Sequence, residues 1–130
     1  MNVLAFDVGG TSIKYGLVSD TLEIINKDKF PTPKNEEKLI DLFSKIIEDN
    51  LSDISKVSVA MPGYVDVANN KYLYGPHLKY AIDFSKLSKF SEYAFYLDND
   101  GNVAAYCEYF LNYKNKYSNL IMLTFGTGVG

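Results

Sequence analysis

The sequence contains no arginine; all thirteen of its basic residues are lysine. Any phosphate site must therefore use backbone N–H groups, lysine or a metal, not a bidentate guanidinium fork. Basic charge is also outnumbered, thirteen residues against sixteen acidic ones, for a net charge of −3. A mildly acidic chain lacks the electrostatic footprint of a nucleic-acid binder. Cysteine is almost absent. Cys107 alone cannot form an internal disulfide, which fits a reducing compartment. Long apolar runs are missing too. Leu120-Ile121-Met122-Leu123 is far too short to span a membrane. The N-terminus meets Asp7 without a basic stretch before it, so it does not read as a signal peptide. Together these absences predict a cytoplasmic protein with neither a nucleic-acid nor a membrane partner.

What is present suits one compact domain with its own core: 130 residues, 47% hydrophobic and 22% charged. Val3 to Val8 reads as a buried strand cut off by Gly9-Gly10. Ile13 to Val18 and Leu22 to Phe30 follow as second and third strands, and short turns between them predict an antiparallel meander. Pro31-Thr32-Pro33 ends it. Leu39, Leu42, Phe43, Ile46 and Ile47 then mark one face of a helix over Glu36 to Leu51. Val57 to Met61 is a strand again, giving the strand–helix–strand pattern of a parallel pair. A hairpin around Asn69-Asn70, a short helix over Asp83 to Phe90 and a strand over Tyr93 to Leu97 come next. A helix over Asn102 to Tyr113 and a last strand over Asn119 to Phe125 complete the pattern. That strand runs into Gly126-Thr127-Gly128-Val129-Gly130, which reads as the N-terminal part of a longer protein.

Three segments carry chemistry. In Asp7-Val8-Gly9-Gly10-Thr11-Ser12-Ile13-Lys14, a carboxylate ends a strand and two glycines let backbone approach an anion. Thr11 adds a hydroxyl and Lys14 a charge. Asp7 suits Mg²⁺, which keeps several waters and takes one or two carboxylates. An ordinary hairpin with Gly-Gly at its turn is the competing reading. Asp98-Asn99-Asp100-Gly101-Asn102 joins a strand to a helix, where open α/β sheets place ligands. An aspartate there is positioned to accept a hydroxyl proton. Helix capping, which needs only one such residue, explains the same cluster. The terminal glycine run is either a second phosphate cradle or a tight turn.

In combination and order, these segments resemble the ROK group of repressors, open reading frames and sugar kinases, over nearly all 130 residues. Asp7 to Lys14 is similar to the family's first phosphate loop, Asp-x-Gly-Gly-Thr-x-x-Lys. Met61-Pro62-Gly63-Tyr64-Val65-Asp66 is similar to its Pro-Gly-x-x-Asp loop beside the sugar. Asn99-Asp100-Gly101-Asn102 is similar to its Asn-Asp-x-Asn segment, and Thr124 to Gly130 to its second phosphate loop. The resemblance implies an α/β, actin-like (ribonuclease H-like) ATPase domain: a mixed five-stranded sheet with flanking helices. Residues 1–130 would be the N-terminal domain of a two-domain sugar kinase whose C-terminal domain is absent.

The implied reaction moves the ATP γ-phosphate to a hydroxyl of a hexose or N-acetylhexosamine. Asp100 would be the general base, while Asn99 and Gly63 would hold the sugar. Gly9, Gly10, Thr11, Lys14, Thr127 and Gly128 would line the phosphates, with Asp7 near Mg²⁺. The fragment alone is expected to be inactive, the full-length protein a homodimer, and a structural zinc only beyond residue 130. Where the family has Pro-Asn-Leu-x-Gly-Trp, this chain has Pro76-His77-Leu78-Lys79-Tyr80-Ala81. His77 reads as a loop residue, with sugar contact as its functional alternative. Cys107 reads as a packed helix residue and not a nucleophile. Two other readings stand beside the kinase: a non-catalytic sugar-sensing domain of the same family, and another actin-like ATPase. The family's repressors carry a helix-turn-helix ahead of the first loop, which begins here at residue 7.

Overall fold

The structure, a computed structural model, describes residues 1–126 and 129. Strands β1 (Asn2–Val8), β2 (Ser12–Val18) and β3 (Ile24–Pro31) form the antiparallel meander. Strands β4 (Ile54–Met61) and β8 (Ala94–Asn99) continue the sheet in parallel with β1. The order is β3-β2-β1-β4-β8, a mixed five-stranded sheet. Between β4 and β8 the chain builds a smaller sheet from β5 (Tyr64–Asp66), β6 (Lys71–Tyr74) and β7 (Ile82–Asp83). β7 has only two residues, too short to leave a periodic signal in sequence.

The core follows from strand alternation. Leu4, Phe6 and Val8 of β1 and Val57, Val59 and Met61 of β4 point to one face and are buried. Helix α1 (Glu36–Glu48) covers that face with Leu39, Phe43, Ile46 and Ile47. Phe43 stacks on Phe6 at 4.1 Å between ring centroids. Burying each such side chain stabilises the fold by about 1.5–3 kcal/mol. The Asn35 side chain caps α1 by accepting from the Lys38 N–H at 3.0 Å, and Glu36 and Glu37 complement the positive end of its dipole. A 3₁₀ segment, Phe84–Phe90, adds Phe84, Leu87 and Phe90 to the same core. Tyr72 is fully buried there as well.

The opposite face is covered only in part. Helix α2 (Asp100–Glu108) crosses it and contributes no buried residue; a π-helical turn, Tyr109–Tyr113, continues it. Cys107 is therefore exposed rather than packed. The strand expected over Asn119 to Phe125 does not form. That segment is irregular, with one isolated bridge between Phe125 and Val129. Among the described residues no strand lies beside it, and Ile121 and Leu123 are 91% and 64% exposed. An apolar run without a ladder partner does not hold a strand in water. No helix among the described residues is long and apolar enough to cross a membrane.

Candidate functional site

The parallel register brings the carboxyl ends of β1, β4 and β8 together. Asp7 pairs with Ala60, and Ala60 with Asp98, so the two aspartates stand on one row across three strands. Ligands in open α/β sheets bind beyond such ends.

The β1–β2 turn is the first part of the site. The Gly9 N–H donates to the Ser12 carbonyl at 2.9 Å, and the Thr32 hydroxyl donates to the Gly9 carbonyl at 2.6 Å. The Thr32 N–H also donates to the Thr11 carbonyl at 2.9 Å. Thr32, which the sequence marks only as the end of the meander, thus pins the turn from both sides. Neither glycine needs a left-handed backbone; no glycine among the described residues has positive φ. Their requirement is space. A Cβ on Gly9 would lie 2.8 Å from the Ser12 carbonyl oxygen, and one on Gly10 would lie 2.5 Å from that of His77. Gly10 is thus explained by packing against the His77 loop.

Lys14 lies opposite Asp7 across the ladder, with its Nζ 3.5 Å from Asp7 Oδ2. Both side chains are more than half exposed, and such a pair stabilises by only about 0–1 kcal/mol. Redirecting Lys14 toward a phosphate therefore costs little. Asp7 offers one carboxylate at the strand end, which fits Mg²⁺ held mainly by waters and phosphate oxygens. Among the described residues no cluster of three or more His, Cys, Asp or Glu forms a metal cage.

The β8–α2 junction is the second part. Asn99 caps α2: its Oδ1 accepts from the N–H groups of Gly101 at 2.9 Å and Asn102 at 3.2 Å. The capping reading of the Asp98–Asn102 cluster is thus realised, and by Asn99. Its Nδ2 donates to the Gly63 carbonyl at 2.9 Å, tying the junction to the loop before β5. Asp98 accepts from the Asn99 N–H at 2.6 Å and the Asn102 side chain at 3.0 Å. Asp100 is exposed and accepts from the Gly101 N–H at 2.8 Å.

Adjacent residues of this junction line different hollows. Asp100 opens onto a groove of about 560 Å³ between the sheet and α2, which Asp7, Lys14, Gly16 and Cys107 also line. Asn99 opens onto a cleft of about 420 Å³ with Gly63, Tyr64, Asp98 and Asn102. The structure thus gathers Asp7, Lys14 and Asp100 on one side, and Gly63 and Asn99 on the other. Asp66 stands apart. Its carboxyl accepts from the Asn69 side chain at 2.7 Å and main chain at 3.2 Å, which holds its pKa below the ordinary value and shapes the hairpin turn. Thr127 and Gly128 lie outside the described residues.

A wedge connects the two parts. A Cβ on Gly75 would lie 2.4 Å from the Pro62 carbonyl oxygen, just as one on Gly10 would meet His77. Segment 75–78 therefore touches both glycine loops. It is anchored by buried Leu78, whose carbonyl accepts from the Tyr72 hydroxyl at 2.9 Å. No spacing rule reveals this contact; only the fold brings residues 10 and 77 together.

Comparison with known proteins fits this geometry. The ROK family model matches residues 3–130. The chain is 28% identical over 131 residues to a glucokinase of Streptomyces coelicolor, covering 98% of this chain and 41% of that protein. It is 29% identical over 135 residues to an N-acetylmannosamine kinase of Haemophilus influenzae, covering 100% and 45%. The chain spans less than half the length of these relatives. Its structure superposes on a ROK family glucokinase from Streptomyces griseus, solved with glucose and AMPPNP, at TM-score 0.79 and 26% identity, covering 100% of this chain and 43% of that one. It also shares its fold with a ROK family transcriptional regulator, a homologue of the Escherichia coli MLC protein, at TM-score 0.84 and 14% identity, covering 99% and 35%. With its mixed sheet in actin-like order and this match along almost its whole length, the chain belongs to the ROK family.

Proposed function

We propose that residues 1–130 are the N-terminal, actin-like half of a two-domain sugar kinase that transfers the γ-phosphate of ATP to a hexose or N-acetylhexosamine hydroxyl. The observation that carries this reading is the split at the β8–α2 junction. Asn99 faces the Gly63 cleft, while the next residue, Asp100, faces the groove of Asp7 and Lys14. A sugar held on the Asn99 side and phosphates on the Lys14 side would meet at Asp100.

In this mechanism Asn99 and the Gly63 loop orient the sugar. The Asp100 carboxylate takes the proton from the attacking hydroxyl. The sugar oxygen bonds to the γ-phosphorus as the bond to the β-phosphate oxygen breaks, releasing ADP and the sugar phosphate. The N–H groups of Gly9 and Gly10, the Thr11 hydroxyl and Lys14 hold the phosphates, and positioning supplies most of the acceleration. Thr127 and Gly128 are proposed for the same phosphates. Asp7 would hold Mg²⁺, whose charge offsets that of the phosphate oxygens.

The test is ADP release from the protein expressed over its complete reading frame, with Mg²⁺, ATP and a panel of hexoses and N-acetylhexosamines. The expected outcome is ADP formation that depends on at least one sugar. Sugar binding without ADP release from any member of the panel would refute the kinase reading in favour of a sensor.

A further inference from the structure

The sequence contains one Asp-Gly step, Asp100-Gly101, and no Asn-Gly step. Every other aspartate is followed by a residue that carries a Cβ. Glycine is the least hindered neighbour an aspartate can have. With no Cβ on the following residue, the backbone between them reaches conformations that other residues exclude.

The structure brings the reacting atoms of this step together. The Asp100 carboxyl folds back over its own C-terminal peptide, where Oδ1 accepts from the Gly101 N–H at 2.8 Å. That contact sets the Gly101 nitrogen beside Cγ, the carbon that carries Oδ1. Among the described residues no other hydrogen bond or ion pair holds this carboxyl. Asp100 is exposed, so water reaches it. Outside its own helix backbone and chain neighbours, a Cβ on Gly101 would meet only Asn99 Oδ1, at 3.1 Å. Nothing else crowds the step. The Asn99 cap opposes reaction, because its Oδ1 accepts from the same Gly101 N–H at 2.9 Å. The step therefore reacts from an opened first turn. α2 contributes no buried residue, and helix ends with few buried contacts open readily.

We propose that Asp100-Gly101 is a site of spontaneous isomerisation, at which aspartate becomes isoaspartate through a cyclic imide. In the acid form of the carboxyl, the Gly101 nitrogen bonds to Cγ and the Cγ–OH bond breaks. The hydroxyl leaves with the amide proton as water. Water then adds to one of the two imide carbonyls. Opening at Cγ restores aspartate. Opening at the Asp100 main-chain carbonyl breaks its bond to the Gly101 nitrogen. The chain then runs through Cγ, and the former main-chain carbonyl becomes the side-chain carboxyl. No atom is gained or lost overall. The main chain lengthens by one carbon and the side chain shortens by one, so the carboxylate moves. Asp100 is the base proposed for phosphoryl transfer, and misplacing a catalytic group by about 1 Å can cost about 10²-fold. The effect on turnover rests on that reading; the isomerisation does not.

Peptide mapping tests the site. The protein over its complete reading frame is aged for weeks at physiological temperature and pH. Its peptides are then fragmented by electron transfer, which marks isoaspartate at a diagnostic bond. We expect isoaspartate to accumulate at position 100 ahead of every other aspartate, with sugar-dependent ADP release falling by the same fraction. Gly101→Ala reduces the accumulation to the level of the other aspartates. Asp100→Asn undergoes the same ring closure with ammonia as the leaving group, so its peptide gains mass as aspartate and isoaspartate form. Unmodified Asp100 in the aged protein, or accumulation that Gly101→Ala does not slow, overturns the isomerisation whatever happens to turnover. Isoaspartate that accumulates while ADP release holds its initial value leaves the modification standing and overturns Asp100 as the base.

Discussion

The Asn99 side chain does two jobs with two ends. Its Oδ1 accepts from the Gly101 and Asn102 N–H groups, and its Nδ2 donates to the Gly63 carbonyl at 2.9 Å. One residue thus starts α2 and fixes the loop proposed to hold the sugar. The two ends separate by substitution. Asn99→Ala removes both and is expected to lower unfolding free energy by about 1–2 kcal/mol through the lost cap. Asn99→Asp keeps a capping oxygen and loses the donor. It should unfold within about 1 kcal/mol of the parent, yet show a raised KM for sugar. Chemical denaturation and steady-state kinetics on both variants check this.

Gly10 presses on a neighbour far away in sequence. A Cβ there would meet the His77 backbone oxygen at 2.5 Å and the His77 Cβ at 2.8 Å. Gly10→Ala should therefore destabilise by about 1–3 kcal/mol, the range for overpacking. Adding His77→Gly should not restore stability, because the nearer atom is backbone. Thermal melts of the single and double variants test this directly.

The pH response has a defined sign at Glu36. The Lys86 ammonium donates to its carboxylate at 2.6 Å and the Asp83 N–H donates at 2.9 Å, which lowers the carboxyl pKa below its ordinary value. A group with a lowered folded pKa stabilises above its unfolded value and loses that contribution as pH falls through the folded one. Stability should decline as pH drops below the usual glutamate range, about 4.3. Glu36→Gln should flatten that decline. Denaturation midpoints measured across this acid range provide the check.

Leu22 carries a backbone cost. Its φ of 65° is left-handed, and its side chain is 61% exposed, so no core contact offsets the strain. Leu22→Gly should raise stability by about 0.5–1 kcal/mol, the left-handed penalty less glycine's larger folding entropy. A rise in denaturation midpoint would confirm it; a fall would show that the turn depends on leucine.

Much of this architecture is legible from residue patterns, for identifiable reasons. The meander, α1 and the β4–β8 pair have strong periods, and Gly-Gly, Pro-Gly and Asn-Asp mark the strand ends. Boundaries moved where local chemistry competed with pattern. β3 starts at Ile24 rather than Leu22 because Leu22 sits in a turn. α2 starts at Asp100 because Asn99, not a later residue, is its cap. Asn119 to Phe125 has the composition of a strand but, among the described residues, no ladder to join. The close approach of Gly10 to His77 and the bond from the Thr32 hydroxyl to the Gly9 carbonyl join segments far apart in sequence, which no periodic pattern records.

The central claim rests on Asp100, exposed at the edge of the groove it shares with Asp7 and Lys14. The most direct measurement compares sugar-dependent ADP release by the parent and by Asp100→Asn, alongside sugar affinity. The account predicts turnover lower by about 10²–10⁴-fold, the contribution of a positioned base, with sugar affinity changed little. Turnover that is unchanged in Asp100→Asn would contradict it.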